Sequence, residues 1–118
     1  MQYVILIYGD QAQAGKMTVE EQNADFGRWM QYTKDLGAAN VMRGGEALQP
    51  TGTATTVRVR NGKVRNTDGP FAETKEQLGG FYLIDVKNLD EALAWAAKCP
   101  GAAYGSIEVR PIMEIPKP

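Results

Sequence analysis

The chain has 118 residues, 43% of them hydrophobic, which is enough for one compact domain with a core of its own. Its 13 basic and 14 acidic residues give a formal net charge of -1, so no overall field attracts nucleic acid or an anionic membrane. One cysteine excludes an intramolecular disulfide, and the absence of histidine removes the commonest metal ligand and the usual proton shuttle near neutral pH.

Targeting and cofactor signals are missing from the sequence. The N-terminus enters an apolar run without a basic region or cleavage signal, and no apolar run is long enough to span a bilayer. No phosphate-binding loop or aspartate-rich cation loop occurs. We therefore expect residues 1–118 to form a single cytoplasmic domain with no membrane or nucleic-acid partner, no metal and no cofactor.

The first predicted element is a strand over residues 3–8, because a continuous apolar run is typical of a central strand covered on both faces. A helix follows, since Thr18 and Glu21 form a capping-box pattern and Gly37 is a natural stop. Helical spacing predicts its buried face: Phe26, Trp29, Met30, Thr33 and Leu36.

The middle of the chain predicts a short strand and a hairpin. Residues 40–48 contain a strand-like segment that should bend or bulge at Gly44-Gly45. Residues 55–60 and 63–65 alternate in polarity around Asn61-Gly62, which is a strong hairpin signal. One hairpin face carries a basic cluster, which we interpret as a solvated edge rather than a nucleic-acid site: Arg58, Arg60, Lys63 and Arg65.

The last third predicts a strand over 81–86, a helix capped by Asn88, and a final strand over 106–115 in which Pro111 marks an edge position or a bulge. The stripe expected to face the sheet from this helix is rich in alanine: Leu89, Ala92, Leu93, Trp95 and Ala96. The order of elements indicates an α+β, ferredoxin-like antiparallel sheet with two helices on one face. The other face would be bare, so we expect a homodimer that encloses a pocket between two sheets.

The connection over residues 68–81 is the predicted site, because it combines a tight Asp-Gly-Pro reversal with an acidic side chain and the Gly79-Gly80 pair. Asp68 is the candidate catalytic residue. Burial among Phe71, Phe81 and Tyr82 would raise the pKa of its carboxyl group toward neutrality and suit it to acid or base catalysis. The alternative is that Asp68 caps its own turn by accepting backbone N–H groups.

The other candidates are substrate-binding residues, each with a plain structural alternative. Arg43 could hold a carboxylate and Glu46 could orient a donor, although both suit a surface ion pair. Glu73 and Lys75 could form a mobile rim or an ordinary solvated loop. Tyr8 and Tyr82 could offer hydroxyl groups to a ligand or belong to the core, and Phe71 could line the pocket.

Several motifs together resemble the DGPF-type branch of the YCII-related family: residues 68–76 (Asp-Gly-Pro-Phe-Ala-Glu-Thr-Lys-Glu), Gly79-Gly80-Phe81 and Val109-Arg110-Pro111. The resemblance extends over essentially the whole chain. It implies a dimeric α+β barrel, and some DGPF-type proteins are associated with extracytoplasmic-function sigma factors. The broader family is discussed in terms of an aspartate and a histidine in a cleft. This sequence has Asp68 but no histidine, so a mechanism that needs the pair does not carry over.

Two functions remain open from the sequence. One is a small-molecule enzyme or binding protein whose dimer pocket uses Asp68 on a small organic acid or carbonyl compound. The other is a non-catalytic dimeric accessory or regulatory module.

Overall fold

The computed structural model describes residues 1–116, which form six strands and three helices. The strands are β1 (Gln2–Gly9), β2 (Met42–Ala47), β3 (Thr55–Arg60), β4 (Lys63–Asp68), β5 (Gln77–Asp85) and β6 (Ser106–Pro111). The helices are α1 (Gln11–Ala14), α2 (Val19–Ala38) and α3 (Leu89–Lys98), and single 3-10 turns occupy Thr51–Thr53 and Pro100–Ala103.

Four strands form an antiparallel sheet in the order β2-β5-β1-β6. With α2 between β1 and β2 and α3 between β5 and β6, this order is ferredoxin-like. The predicted α+β class and the central place of the first strand are confirmed. Strands β3 and β4 form a separate two-stranded hairpin whose Asn61 and Gly62 have positive φ angles of 52° and 73°.

The hydrophobic core lies between the sheet and one side of α2 and α3. Ile5 and Ile84 from the sheet are fully buried against Leu36 of α2 and Ala92 of α3. Tyr32 of α2 completes this layer, with its ring edge-on to the rings of three neighbours at centroid distances between 5.4 and 6.5 Å: Trp29, Tyr82 and Trp95. The two long helices therefore cover one face of the sheet, as predicted.

The start of α2 is capped as the sequence indicates, but its end differs. The Thr18 hydroxyl accepts the Glu21 N–H at 3.1 Å, and the Glu21 carboxylate accepts the Thr18 N–H at 3.2 Å. The helix continues through Gly37 to Ala38, and the left-handed residue that follows is Asn40, with φ 58°. The predicted stop at Gly37 was wrong because asparagine also tolerates this conformation.

The buried faces of both long helices were predicted only in part. On α2, Phe26 and Met30 are 66% and 55% exposed, whereas Tyr32 is 4% exposed. Two neighbouring stripes of α2 are apolar, and contact with the sheet selects the one that contains Tyr32. On α3, Ala92 and Ala96 face the sheet, and Leu89 and Leu93 remain exposed.

Several strand boundaries also differ from those predicted from the sequence. Strand β5 starts at Gln77 rather than at residue 81, and its bulge opposite Ile7 and Tyr8 falls at Gly79. The register of β2 shifts between Met42 and Gly44, which confirms the expected irregularity near the glycine pair. Strand β6 ends at Pro111 rather than at residue 115, and the Ile112 N–H still donates to the Gln2 carbonyl at 2.9 Å. Helix α1, which the sequence did not indicate, begins where the Asp10 carboxylate accepts the N–H groups of Ala12 and Gln13.

Within residues 1–116, no helix combines the length and apolar character that crossing a bilayer would require.

Candidate functional site

The face of the sheet opposite α2 and α3 is the candidate site, and we call it the open face. Side chains alternate along a strand, so those that do not point toward the core lie together on this side. Five of them form an apolar and aromatic centre, and three charged ones lie at its edges: Val4, Leu6, Tyr8, Phe81 and Leu83, then Glu46, Glu108 and Arg110. The five central residues are partly exposed, and they do not belong to the buried core.

The strand register sets the order of side chains across the open face. Leu6 lies opposite Phe81 on one side and Glu108 on the other, and Glu46 lies beyond Phe81. Three strand spacings of about 4.8 Å separate the two glutamates, so they lie roughly 14 Å apart and cannot share a proton within one chain. The row through Leu6 is therefore an apolar strip with a glutamate at each end.

Glu108 and Arg110 are candidate residues that the sequence reasoning did not select. Their positions follow from the alternation in β6, where Val109 and Ile107 face the core. That alternation was visible in the sequence. The order of the strands in the sheet, which places β6 beside β1 and opposite Leu6 and Val4, was not.

The two candidate tyrosines lie on opposite faces of the sheet. Tyr8 points to the open face, whereas Tyr82 lies under α2, with its hydroxyl 2.6 Å from the hydroxyl of Thr33. Burial is the largest cause of the raised pKa of Tyr82, and the hydrogen bond to Thr33 lowers it in part. Only Tyr8 can therefore offer its hydroxyl group to a ligand on the open face.

Asp68 is the last residue of β4, pairs with Thr55 and is exposed, so it precedes the reversal rather than occupying it. The turn begins at Gly69, which has φ 95° and donates its N–H to Ala54 at 2.7 Å. Among the described residues, no hydrogen bond involves the Asp68 carboxylate, and Phe71 is 79% exposed. A single chain thus provides neither the apolar burial nor the capping role expected for Asp68.

Arg43 and Glu46 lie on β2 but do not form a pair. Arg43 is exposed, donates to the carbonyl groups of Asn40 and Met42 at 3.0 and 3.1 Å, and lies 4.0 Å from the Asp85 carboxylate. It therefore makes the surface contacts that were the alternative to carboxylate binding. Glu46 is exposed beside Phe81 at the edge of the open face.

The loop over residues 69–76 carries Phe71, Glu73 and Lys75, all exposed, and is fastened at both ends. At its start, the Thr56 hydroxyl donates to the Gly69 carbonyl at 2.8 Å. At its end, the Glu76 carboxylate accepts the Ser106 hydroxyl at 2.6 Å. The loop is therefore anchored beside the open face, while its three candidate side chains extend into solvent.

An amide network ties the end of β1 to this loop. The Gln77 side-chain oxygen accepts the Gln11 N–H at 2.9 Å, and the Gln11 side-chain oxygen accepts both the N–H and the hydroxyl of Thr51 at 3.2 and 3.0 Å. Nothing in the sequence pattern pointed to these residues. They fix the position of the segment that leads into β3.

Cys99 is unsuited to nucleophilic chemistry. It is 3% exposed within the core, and burial raises the pKa of its thiol to about 11. The thiol therefore stays protonated at neutral pH.

Two shallow surface depressions among the described residues lie away from the open face. One is lined by residues of α2, including Met30 and Lys34, and the other by Arg28 of α2 and by residues from the end of α3 to Tyr104. Within residues 1–116, no group of three or more acidic or cysteine side chains is arranged to hold a metal ion. The central side chains of the open face are partly exposed, so an enclosed ligand pocket there requires a second surface to cover them.

Comparison with known proteins agrees with this architecture. A structure of 5-chloro-2-hydroxyhydroquinone dehydrochlorinase from Burkholderia phenoliruptrix AC1100, in complex with 2,5-dihydroxybenzoquinone, matches with a TM-score of 0.53 and 14% identity, over 96% of this chain and 94% of that one. An uncharacterized protein of Rhizobium meliloti is 40% identical over 114 residues, covering 95% of this chain and 92% of its own. The model of the YCII-related domain matches residues 1–116. The chain therefore belongs to the YCII-related family.

Proposed function

We propose that the protein is a homodimer of the DGPF-type branch that binds a small organic ligand against the open face. The carrying observation is the open face itself, because an apolar and aromatic strip with a hydroxyl and charged groups at its edges has the composition of a ligand site. In one chain this surface is uncovered. A second copy across a two-fold axis would turn it into a cavity.

The chemistry of the open face favours a planar or apolar ligand with oxygen substituents. Phe81 and Leu6 offer an apolar wall, Tyr8 offers a hydroxyl group that can donate or accept, and Arg110 offers a cation for a carboxylate or phenolate. Small organic acids and carbonyl compounds fit this description. The fold-related dehydrochlorinase in complex with 2,5-dihydroxybenzoquinone makes that quinone a suitable first probe.

Proton transfer by Asp68 remains part of this proposal. The carboxylate is exposed in one chain, so the role depends on a partner subunit that covers it and removes it from water. If covered beside a bound carbonyl compound, Asp68 could act as a general acid or base without histidine.

The second candidate function is a non-catalytic dimeric accessory or regulatory module, with an extracytoplasmic-function sigma factor as its candidate partner. The observation in its favour is that Asp68, Phe71, Glu73 and Lys75 are all exposed in the single chain and line neither surface depression. Such residues can equally form the surface that a protein partner contacts.

The test is a binding titration with 2,5-dihydroxybenzoquinone and a panel of small carboxylates, comparing Tyr8→Phe with Tyr82→Phe. Loss of the Tyr8 hydroxyl should weaken binding on the order of tenfold, the worth of one hydrogen bond. Tyr82→Phe is the matched control, because its hydroxyl is committed to Thr33 and should leave affinity within about twofold.

The outcomes separate the two functions. Equal losses in both variants would contradict binding on the open face. Binding of no probe by the folded wild-type protein would favour the accessory module. For any compound that is turned over, Asp68→Asn should abolish turnover and leave binding in place, and retained turnover would remove Asp68 from the mechanism.

A further inference from the structure

We propose that the β3–β4 hairpin is a dimerisation arm that packs its valine-rich face against a second copy of the chain. The arm comprises residues 55–68. This inference rests on the homodimer proposed above and goes further, because it names the hairpin face that the second copy covers.

The arm has two chemically different faces, which follow from its register. Residues directly opposite in an antiparallel pair point to the same side, so Val57 lies with Asn66 and Val59 with Val64. The pair Thr55 and Asp68 lies on the same face, which we call the valine face. The other face carries the four basic side chains, with Arg58 opposite Arg65 and Arg60 opposite Lys63.

Neither face stabilises the arm in an isolated chain. Val57, Val59 and Val64 are 61%, 57% and 67% exposed, so the valine face gains little from burial. On the other face, like charges lie directly opposite one another, which is destabilising. A lone two-stranded hairpin is marginal in water. An arm with this composition therefore needs a surface that covers its valines.

The dimensions of the chain show how much surface is left uncovered. Its accessible area is 8682 Å², whereas a compact monomer of 12.9 kDa exposes about 6,300 Å². Its Cα radius of gyration is 16.5 Å, against about 13.5 Å for a compact domain of this length. The excess area, on the order of 2,400 Å², matches what one subunit of an obligate homodimer buries.

A second copy is the occupant that fits these observations. The open face has an apolar centre and the valine face carries three exposed valines, and neither is covered by the helices of its own chain. Burying both in one interface accounts for the excess area without an additional partner. The basic face then stays in solvent, where its charges discourage edge-to-edge pairing. Asp68 lies on the valine face, so the same contact would enclose its carboxylate.

The direct test is site-specific photo-crosslinking at two adjacent residues of β3. A benzophenone amino acid replaces Val59 in one variant and Arg60 in the other, which lie on opposite faces of the arm. Irradiation of the Val59 variant should give a covalent species of twice the 12.9 kDa chain mass on a denaturing gel. The Arg60 variant should give little of it. Crosslinks confined to one chain, or equal yields from both variants, would overturn the proposal.

A second test measures the dimer dissociation constant by analytical ultracentrifugation. The combined substitution Val57→Gln, Val59→Gln and Val64→Gln should weaken the dimer on the order of 100-fold, because three buried valines are lost. The control Arg58→Gln, Arg60→Gln and Arg65→Gln should leave it within about threefold, as expected for surface charges. Circular dichroism confirms that each variant is folded. Unchanged dissociation in the valine variant would overturn the proposal.

The arm and the ligand site can fail independently. A dimer that binds the quinone probe but gives no inter-chain crosslink from Val59 would remove the arm and keep the proposed function. Inter-chain crosslinks from Val59, together with binding of no probe, would keep the arm and remove the ligand site.

Discussion

At the scale of single residues, Gly80 of β5 lies so close to the backbone of β2 that a side chain at this position would clash with it. A Cβ atom at Gly80 would lie 2.9 Å from the Glu46 carbonyl oxygen and 3.4 Å from the Ala47 Cα. Backbone atoms cannot move aside as a flexible side chain can. We expect Gly80→Ala to lower the free energy of unfolding by about 1–3 kcal/mol, as overpacking in a core does.

The adjacent glycine provides the matched control. A Cβ at Gly79 would meet only the Ile7 carbonyl oxygen, at an ordinary 3.9 Å. Gly79→Ala should change the free energy of unfolding by less than about 0.5 kcal/mol. Urea unfolding of both variants checks the prediction, and similar effects would show that the close approach of β2 is not the cause.

The structural role of a residue could be predicted from the sequence where that role depends only on residues nearby in the chain. The Thr18 cap and the Asn61-Gly62 turn were predicted correctly for this reason. The side of the sheet on which Tyr82 lies could not be predicted, because it depends on the register between β5 and β1 and on Thr33 of a distant helix. Asp68 was expected in a turn and lies at the end of a strand, since pairing with Thr55 extends β4 to that point.

At the scale of elements, the capping box of α2 is the local feature whose removal is simplest to interpret. Thr18→Ala removes the acceptor for the Glu21 N–H and should cost about 1 kcal/mol. Thr18→Ser keeps the hydroxyl group and should leave stability almost unchanged, because serine caps helices at least as well as threonine does. Thermal unfolding of the two variants measures the difference, and equal destabilisation would mean that the hydroxyl is not what stabilises the helix start.

The type of each main element could be predicted, but the faces of the helices could not. Alternation and capping patterns are local, and they gave the strands, the hairpin and both long helices. The exposed Phe26 and Met30 show the limit, because α2 has two apolar stripes and only contact with the sheet decides between them. The single-turn helix α1 depends on one carboxylate, that of Asp10, and carries no periodic signal.

At the scale of the whole molecule, the buried core is small and contains weak acids that stay neutral. Cys99 and Tyr32 are 3% and 4% exposed, and burial is the largest cause of the raised pKa of each. The Tyr32 hydroxyl also donates to the Trp95 carbonyl at 2.8 Å. Both groups are uncharged when protonated, so the folded state holds their protons to higher pH than the unfolded state does.

This difference makes stability depend on pH on the alkaline side. The pKa of Cys99 rises from 9.0 to about 11, so its contribution is complete below about pH 9 and is lost as pH rises toward 11. Two pKa units correspond to roughly 2–3 kcal/mol. Urea midpoints at pH 7.5, 9 and 10.5 should fall with pH in the wild type and fall less steeply in Cys99→Ala. Parallel declines in the two proteins would show that the thiol ionises equally in the folded and unfolded states, and would leave the alkaline loss to Tyr32 and the surface groups.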